Sequence, residues 1–75
     1  RNPPEDYAGR LIEQAGLKGY RIGDAEISAM HGNFIINRGK ATAKDVFTLI
    51  DHVRGTISSK FNVMLKPEVL VVGEE

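Results

Sequence analysis

The stretch "LKPEVLVVGEE", residues 65 to 75, sets an ionisable group beside an apolar run. Val69 to Val72 is unbroken by polar residues and reads as a strand buried on both faces. Glu68 stands at the mouth of that strand, between Pro67 and the run. Strand ends are places where α/β proteins often hold their sites. Apolar neighbours there would favour the neutral acid over the carboxylate, and a protonated carboxyl can donate a proton to a developing enol. The plainer reading is a solvated carboxylate at a strand end, the usual situation of a glutamate. Residue type alone leaves both readings open.

Three further groups are candidates. His31 lies in "HGN", a turn or bulge before a second apolar stretch; a lone histidine in such a place is more often a surface or capping residue than a ligand or base. The other histidine, His52, falls on a long predicted helix and not at metal-ligand spacing, so no metal site is expected. Asn2, in "RNPP", has the type to bind a polar ligand or to cap a turn. Finally, "GLKG", residues 16 to 19, has the G-x-x-G spacing of a KH loop, which clamps nucleic-acid backbone. A KH loop should lead into another helix, whereas "YRIGDAEIS" reads as turn and strand, so a helix cap followed by a turn fits better.

The elements that must position these groups follow from periodicity. Residues 1 to 6 are polar and proline-bearing, and read as extended. Tyr7, Ala8, Leu11, Ile12 and Ala15 recur at helical spacing, with Asp6 as the expected N-cap and Gly16 as the left-handed residue past the end. "LKGYRIGDA" is a connection punctuated by Gly19 and Gly23, where positive φ is expected. "AEIS", 25 to 28, and "NFIIN", 33 to 37, are predicted strands. Thr42 and Asp45 have capping-box spacing, and Val46, Ile50, Val53, Ile57 and Phe61 form one helical stripe with Gly55 opposite. The expected order is α-β-β-α-β, an α+β fold built as a two-layer α/β sandwich. Its second strand, long helix and last strand form a right-handed βαβ unit with parallel strands.

Composition bounds the function. The 75 residues suffice for one small domain, 1–75, and 41% hydrophobic content suits a globular fold. Ten basic residues balance ten acidic ones, which argues against a nucleic-acid module or a polybasic membrane segment. The absence of cysteine excludes disulfides and thiolate zinc sites. No apolar stretch approaches the ~20 residues of a membrane span, and no signal-peptide pattern is present; a cytoplasmic location fits. The chain opens Arg1-Asn2-Pro3-Pro4 without an initiator Met, and so reads as a piece of something longer or a processed product.

The stretches "NPP", "AGRLIEQAGLKGYRIG", "HGNFIIN" with "ATAKDV", and "PEVLVVG", in this order and spacing, resemble the C-terminal domain of the UDP-N-acetylenolpyruvoylglucosamine reductase (MurB) family along the whole chain. The resemblance implies an FAD-dependent, NADPH-using enzyme of peptidoglycan synthesis. It would reduce the enolpyruvyl group of a UDP-sugar to the lactyl ether of UDP-N-acetylmuramate. FAD is expected in N-terminal domains that this chain lacks, so the isolated domain should hold neither cofactor and be inactive. Its expected partners are the UDP-sugar and those missing domains, with no nucleic acid and no membrane. Glu68 matches the family's catalytic glutamate, which stabilises or protonates the enol intermediate. Asn2 matches a substrate-binding asparagine near the pyrophosphate, and Arg1 a position usually Lys or Arg. His31 falls where members carry Gln or His. The family's serine proton donor would precede "RNP", and its catalytic arginine would lie in the flavin region. The competing readings are a non-catalytic α/β binding module of KH type and a purely structural interaction domain.

Overall fold

The structure, a computed structural model, describes residues 4–73. Helix α1 spans Pro4–Gln14, followed by strands β1 (Arg21–Ile22), β2 (Ala25–Ile27) and β3 (Phe34–Asn37). The long helix α2 (Ala43–Phe61), a 3₁₀ turn (Pro67–Val69) and strand β4 (Val71–Gly73) complete the chain. The sheet order is β1-β2-β3-β4. The first three strands are antiparallel neighbours, and β4 runs parallel to β3 after the α2 crossover. The α+β class and the parallel β3-α2-β4 unit agree with the sequence reading; β1 is an additional strand. It hides in the glycine-punctuated connection because two residues are too few to show alternation.

Both helices cover one face of the sheet. Ala25, Ile27 and Ile35 point from the strands into a core shared with Ala8, Leu11 and Ile12 of α1 and Leu49, Val53 and Ile57 of α2. Each of the larger side chains contributes about 1.5–3 kcal/mol through burial. Leu49 is fully buried although the expected stripe omitted it, while Val46, Ile50 and Phe61 only flank the core. Gly55 faces open space, as expected.

The helix ends are set by identifiable chemistry. The helical backbone already starts at Pro4, so Asp6 is inside α1 and not its cap. Proline loses no hydrogen bond at the first helical position, which is why the extended segment ends earlier than its composition suggests. At the other end, the Leu17 N–H bonds the Ile12 carbonyl at 3.1 Å and the Gly16 N–H bonds that of Glu13 at 3.0 Å. With Gly16 at φ +75°, this is a Schellman cap, and buried Leu17 and Ile12 supply its apolar contact. The segment from Gly16 to Gly19 then feeds β1 and not a second helix, which removes the geometry a KH loop needs. Thr42 and Asp45 form the expected capping box on α2. Asn62, at φ 57°, closes that helix in the left-handed region.

Candidate functional site

The site is assembled at the end of the sheet where β3 and β4 both begin. The chain turns between β2 and β3 through residues 28–33, and Ser28 organises that turn. Its buried Oγ accepts the N–H groups of Met30 at 3.0 Å and His31 at 3.1 Å. The Phe34 N–H closes on the His31 carbonyl at 2.9 Å. The imidazole of His31 itself is exposed and leans on the Phe34 ring, 5.3 Å between centroids. Gly32 is buried because helix α1 passes directly over it: a Cβ there would lie 2.9 Å from the Gly9 carbonyl oxygen. The histidine turn is thus pressed against α1.

Glu68 approaches the same end from the other side of the β3–β4 pair. It is the middle residue of the 3₁₀ turn, not the first residue of a strand. Pro67, with φ fixed near −65°, suits the first position of that turn. The Val69 N–H bonds the Lys66 carbonyl at 3.1 Å and the Leu70 N–H that of Pro67 at 3.0 Å. Buried Leu65 and Leu70 anchor the turn on either side. Glu68 is exposed, so the apolar surround expected for it is not furnished by the described residues. Nor is the run after it doubly buried: Val71 and Val72 are 39% and 52% exposed on the last strand of the sheet. Among the described residues the Glu68 carboxylate takes no hydrogen bond and no ion pair.

The register puts the two groups at the same end of one strand pair. Phe34 and Val71 are paired across β3 and β4. His31 and Glu68 each lie three residues ahead of one of these partners, so both flank the same end of the strand pair. Next to His31 lies a cavity of about 250 Å³ lined by Ser28, Met30, His31, Phe34, Ile35, Ile36 and Gly73. Its walls are apolar with an imidazole at the rim. Arg1 and Asn2 lie outside the described residues.

Among the described residues no buried side-chain polar atom lacks a hydrogen-bond partner. No group of three or more His, Cys, Asp or Glu among them is placed to hold a metal ion.

Three polar residues that shape the site escaped the sequence reading. Ser28 was legible in principle, since a serine bonding the N–H groups two and three residues on is a known turn device. Asn33 accepts the Val71 N–H on its carbonyl at 2.8 Å and sets its side-chain amide 3.5 Å from the Val69 carbonyl oxygen. Arg54, on α2, donates from Nε to the Leu65 carbonyl at 2.7 Å. The roles of Asn33 and Arg54 depend on contacts distant in sequence, for which no local pattern exists.

Comparison with known proteins places this geometry in context. A family model described as the C-terminal domain of UDP-N-acetylenolpyruvoylglucosamine reductase matches residues 1–72. UDP-N-acetylenolpyruvoylglucosamine reductase 2 of Symbiobacterium thermophilum is 62% identical over 97% of the chain, and the Bacillus subtilis reductase is 58% identical over 97%. The crystal structure of the Thermus caldophilus reductase, MurB, superposes with a TM-score of 0.67 at 47% identity over 96% of the chain. The chain spans about a quarter of these relatives: 24% of each.

Proposed function

This chain belongs to the family of UDP-N-acetylenolpyruvoylglucosamine reductase C-terminal domains, and from that premise we propose that it is the substrate-receiving part of an intact reductase. The UDP-sugar would place its enolpyruvyl group at the end of the β3–β4 pair and its pyrophosphate toward His31, Asn2 and Arg1. FAD and NADPH belong to the intact enzyme and lie outside this chain, where FAD-binding domains of the same protein would meet it. The reading also carries a cytoplasmic location; among the described residues no helix is long and apolar enough to cross a membrane.

The chemistry assigned to this chain concerns charge and protons. Reduction adds a hydride to one carbon of the enolpyruvyl double bond and a proton to the other. Negative charge therefore builds toward the substrate carboxylate after hydride arrives. The Glu68 carboxyl, in its protonated form, donates a hydrogen bond or a proton to that charge. Its turn is fixed before the substrate binds, which lowers the entropy lost on reaching the transition state.

The observation that supports this role is the placement of Glu68: exposed, without a partner among the described residues, in a turn held on both sides, and at the same sheet end as His31. Asp51 is also exposed, but it lies in the middle of helix α2. The test is Glu68→Ala in the intact reductase, with the two half-reactions followed by flavin absorbance in a stopped-flow instrument. NADPH-to-flavin transfer is expected to stay near wild type, and flavin-to-substrate transfer to fall by at least about 10²-fold. Glu68→Gln should remain well below wild type, since it keeps a weak donor but no transferable proton. Near wild-type reoxidation in both variants would reduce Glu68 to a solvated carboxylate.

A further inference from the structure

The segment between α2 and the Glu68 turn has little backbone bonding of its own. It leaves the helix at Asn62, whose N–H still bonds the Ser58 carbonyl at 3.0 Å. Val63, Met64 and Leu65 then run with no regular structure. Leu65 is buried as a side chain, yet its carbonyl needs a polar partner once it turns away from water. Arg54 supplies it. Its guanidinium reaches from α2 across eleven residues of sequence, and Nε donates to that carbonyl at 2.7 Å, a short, charge-assisted bond in a half-buried setting. The same guanidinium sets Nη2 4.0 Å from the Met64 sulfur.

Arg54 had an obvious alternative. Asp51 stands three residues earlier on the same helix, at the spacing of ordinary surface ion pairs. The guanidinium bonds the Leu65 carbonyl and makes no salt bridge with Asp51. That carbonyl lies three residues before Glu68. On the far side of the turn, the Asn33 carbonyl holds the Val71 N–H at 2.8 Å, three residues after Glu68. The turn bearing Glu68, which also packs against α1, is therefore hydrogen-bonded to the rest of the fold on both sides. Asn33 ties it to β3 and Arg54 ties it to α2. Remove the Arg54 tie and Pro67–Val69 still closes its own 3₁₀ bonds, but the turn gains freedom to slide relative to the sheet end.

We propose that Arg54 is a positioning residue for Glu68, fixing the reach of the Glu68 carboxyl toward a group bound at the start of β3 and β4. The inference rests on the reading of Glu68 given above. Arg54 touches no substrate in it. Its effect runs through the Leu65 carbonyl to the turn, and displacements near 1 Å in a reacting group lower rates by up to about 10²-fold.

The experiment uses the intact reductase with its flavin bound and compares Arg54→Met, Arg54→Lys, Glu68→Ala and the double variant Arg54→Met with Glu68→Ala. Methionine keeps an unbranched stem but removes every donor; lysine restores a cationic donor without the fixed fork. In Arg54→Met, flavin-to-substrate transfer is expected to fall about tenfold, with NADPH-to-flavin transfer and the Michaelis constant for the UDP-sugar within about twofold of wild type. Arg54→Lys should recover part of the loss. In the double variant, Arg54→Met should add less than about twofold to the effect of Glu68→Ala, because the two residues act through one group. If Glu68→Ala slows transfer and Arg54→Met does not, or if Arg54→Met slows both half-reactions alike, the positioning role is overturned while the Glu68 reading stands. If Glu68→Ala itself has no effect, the Glu68 reading fails and the positioning role with it. Should Arg54→Met not fold, Arg54→Lys decides: a selective slowing of at least about threefold supports the role, and a wild-type ratio of the two half-reactions overturns it.

Discussion

The two ends of the sheet use carboxylates in opposite ways. At the end where β1 turns into β2 and β3 runs toward α2, side-chain oxygens hold backbone. Asp24 binds Arg21 with one oxygen and the Lys40 N–H with the other, both at 2.9 Å. Asn37 accepts the N–H groups of Gly39 and Ala41 at 2.8 and 3.0 Å. Asp45 accepts the Thr42 N–H at 3.1 Å and packs so close to Gly23 that a Cβ there would lie 2.5 Å from its Oδ2. At the other end, backbone carbonyls, the Ser28 hydroxyl and the Arg54 guanidinium hold the chain. Glu68 and the His31 imidazole remain turned to solvent, with no hydrogen bond among the described residues. A carboxylate already engaged with backbone amides is not free to meet a ligand. The contrast separates an end whose carboxylates hold the fold from an end where Glu68 and the His31 imidazole face solvent.

The comparison can be broken most directly at Glu68. Glu68→Ala is expected to change unfolding free energy by no more than about 0.5 kcal/mol, as for a surface substitution, while producing the large transfer defect described above. Loss of folding in place of loss of transfer would place Glu68 on the structural side. Gly23→Ala tests the opposite end. It forces a side chain into φ +57° and displaces Asp45 from its cap, so about 2 kcal/mol of stability should be lost in denaturant titration. The ratio of the two half-reactions in folded enzyme should not change. Asp45→Ala removes only the return bond to the Thr42 N–H and should cost about 1 kcal/mol by the same measurement. The smallest effect is expected for His31→Gln. It retains a donor and should shift the Michaelis constant for the UDP-sugar by less than about threefold, within the ~0.5–1.5 kcal/mol of one hydrogen bond. An inactive His31→Gln enzyme would mean the imidazole does more than contact substrate.

Legibility in the sequence followed the range of the interaction. The capping box at Thr42 and Asp45, the glycine at the end of α1 and the parallel crossover were all readable, since each depends on residues a few positions apart or on strong periodicity. The start of β4 was misplaced because an unbroken apolar run looks the same whether its faces are covered or bare. Pro67 was the local sign that a turn came first. In the candidate site, Glu68 and His31 were named from the family resemblance and from their residue types. Their place at one end of the same strand pair became visible only through the Phe34–Val71 pairing, which no spacing in the chain encodes.

The sheet's two rims have a consequence for self-association. Its open strands are Arg21–Ile22 and Val71–Gly73, one carrying an exposed cation and the other exposed valines. An unpaired strand is a template on which a second copy can add its own backbone, and apolar edges invite such fibrous growth. Among the described residues each rim offers two or three rungs. The valine rim is interrupted on its leading side by the Pro67 turn, where the backbone N–H groups of Val69 and Leu70 are already engaged. Among the described residues, the short rims limit the backbone that a second copy of this net-neutral domain could pair with.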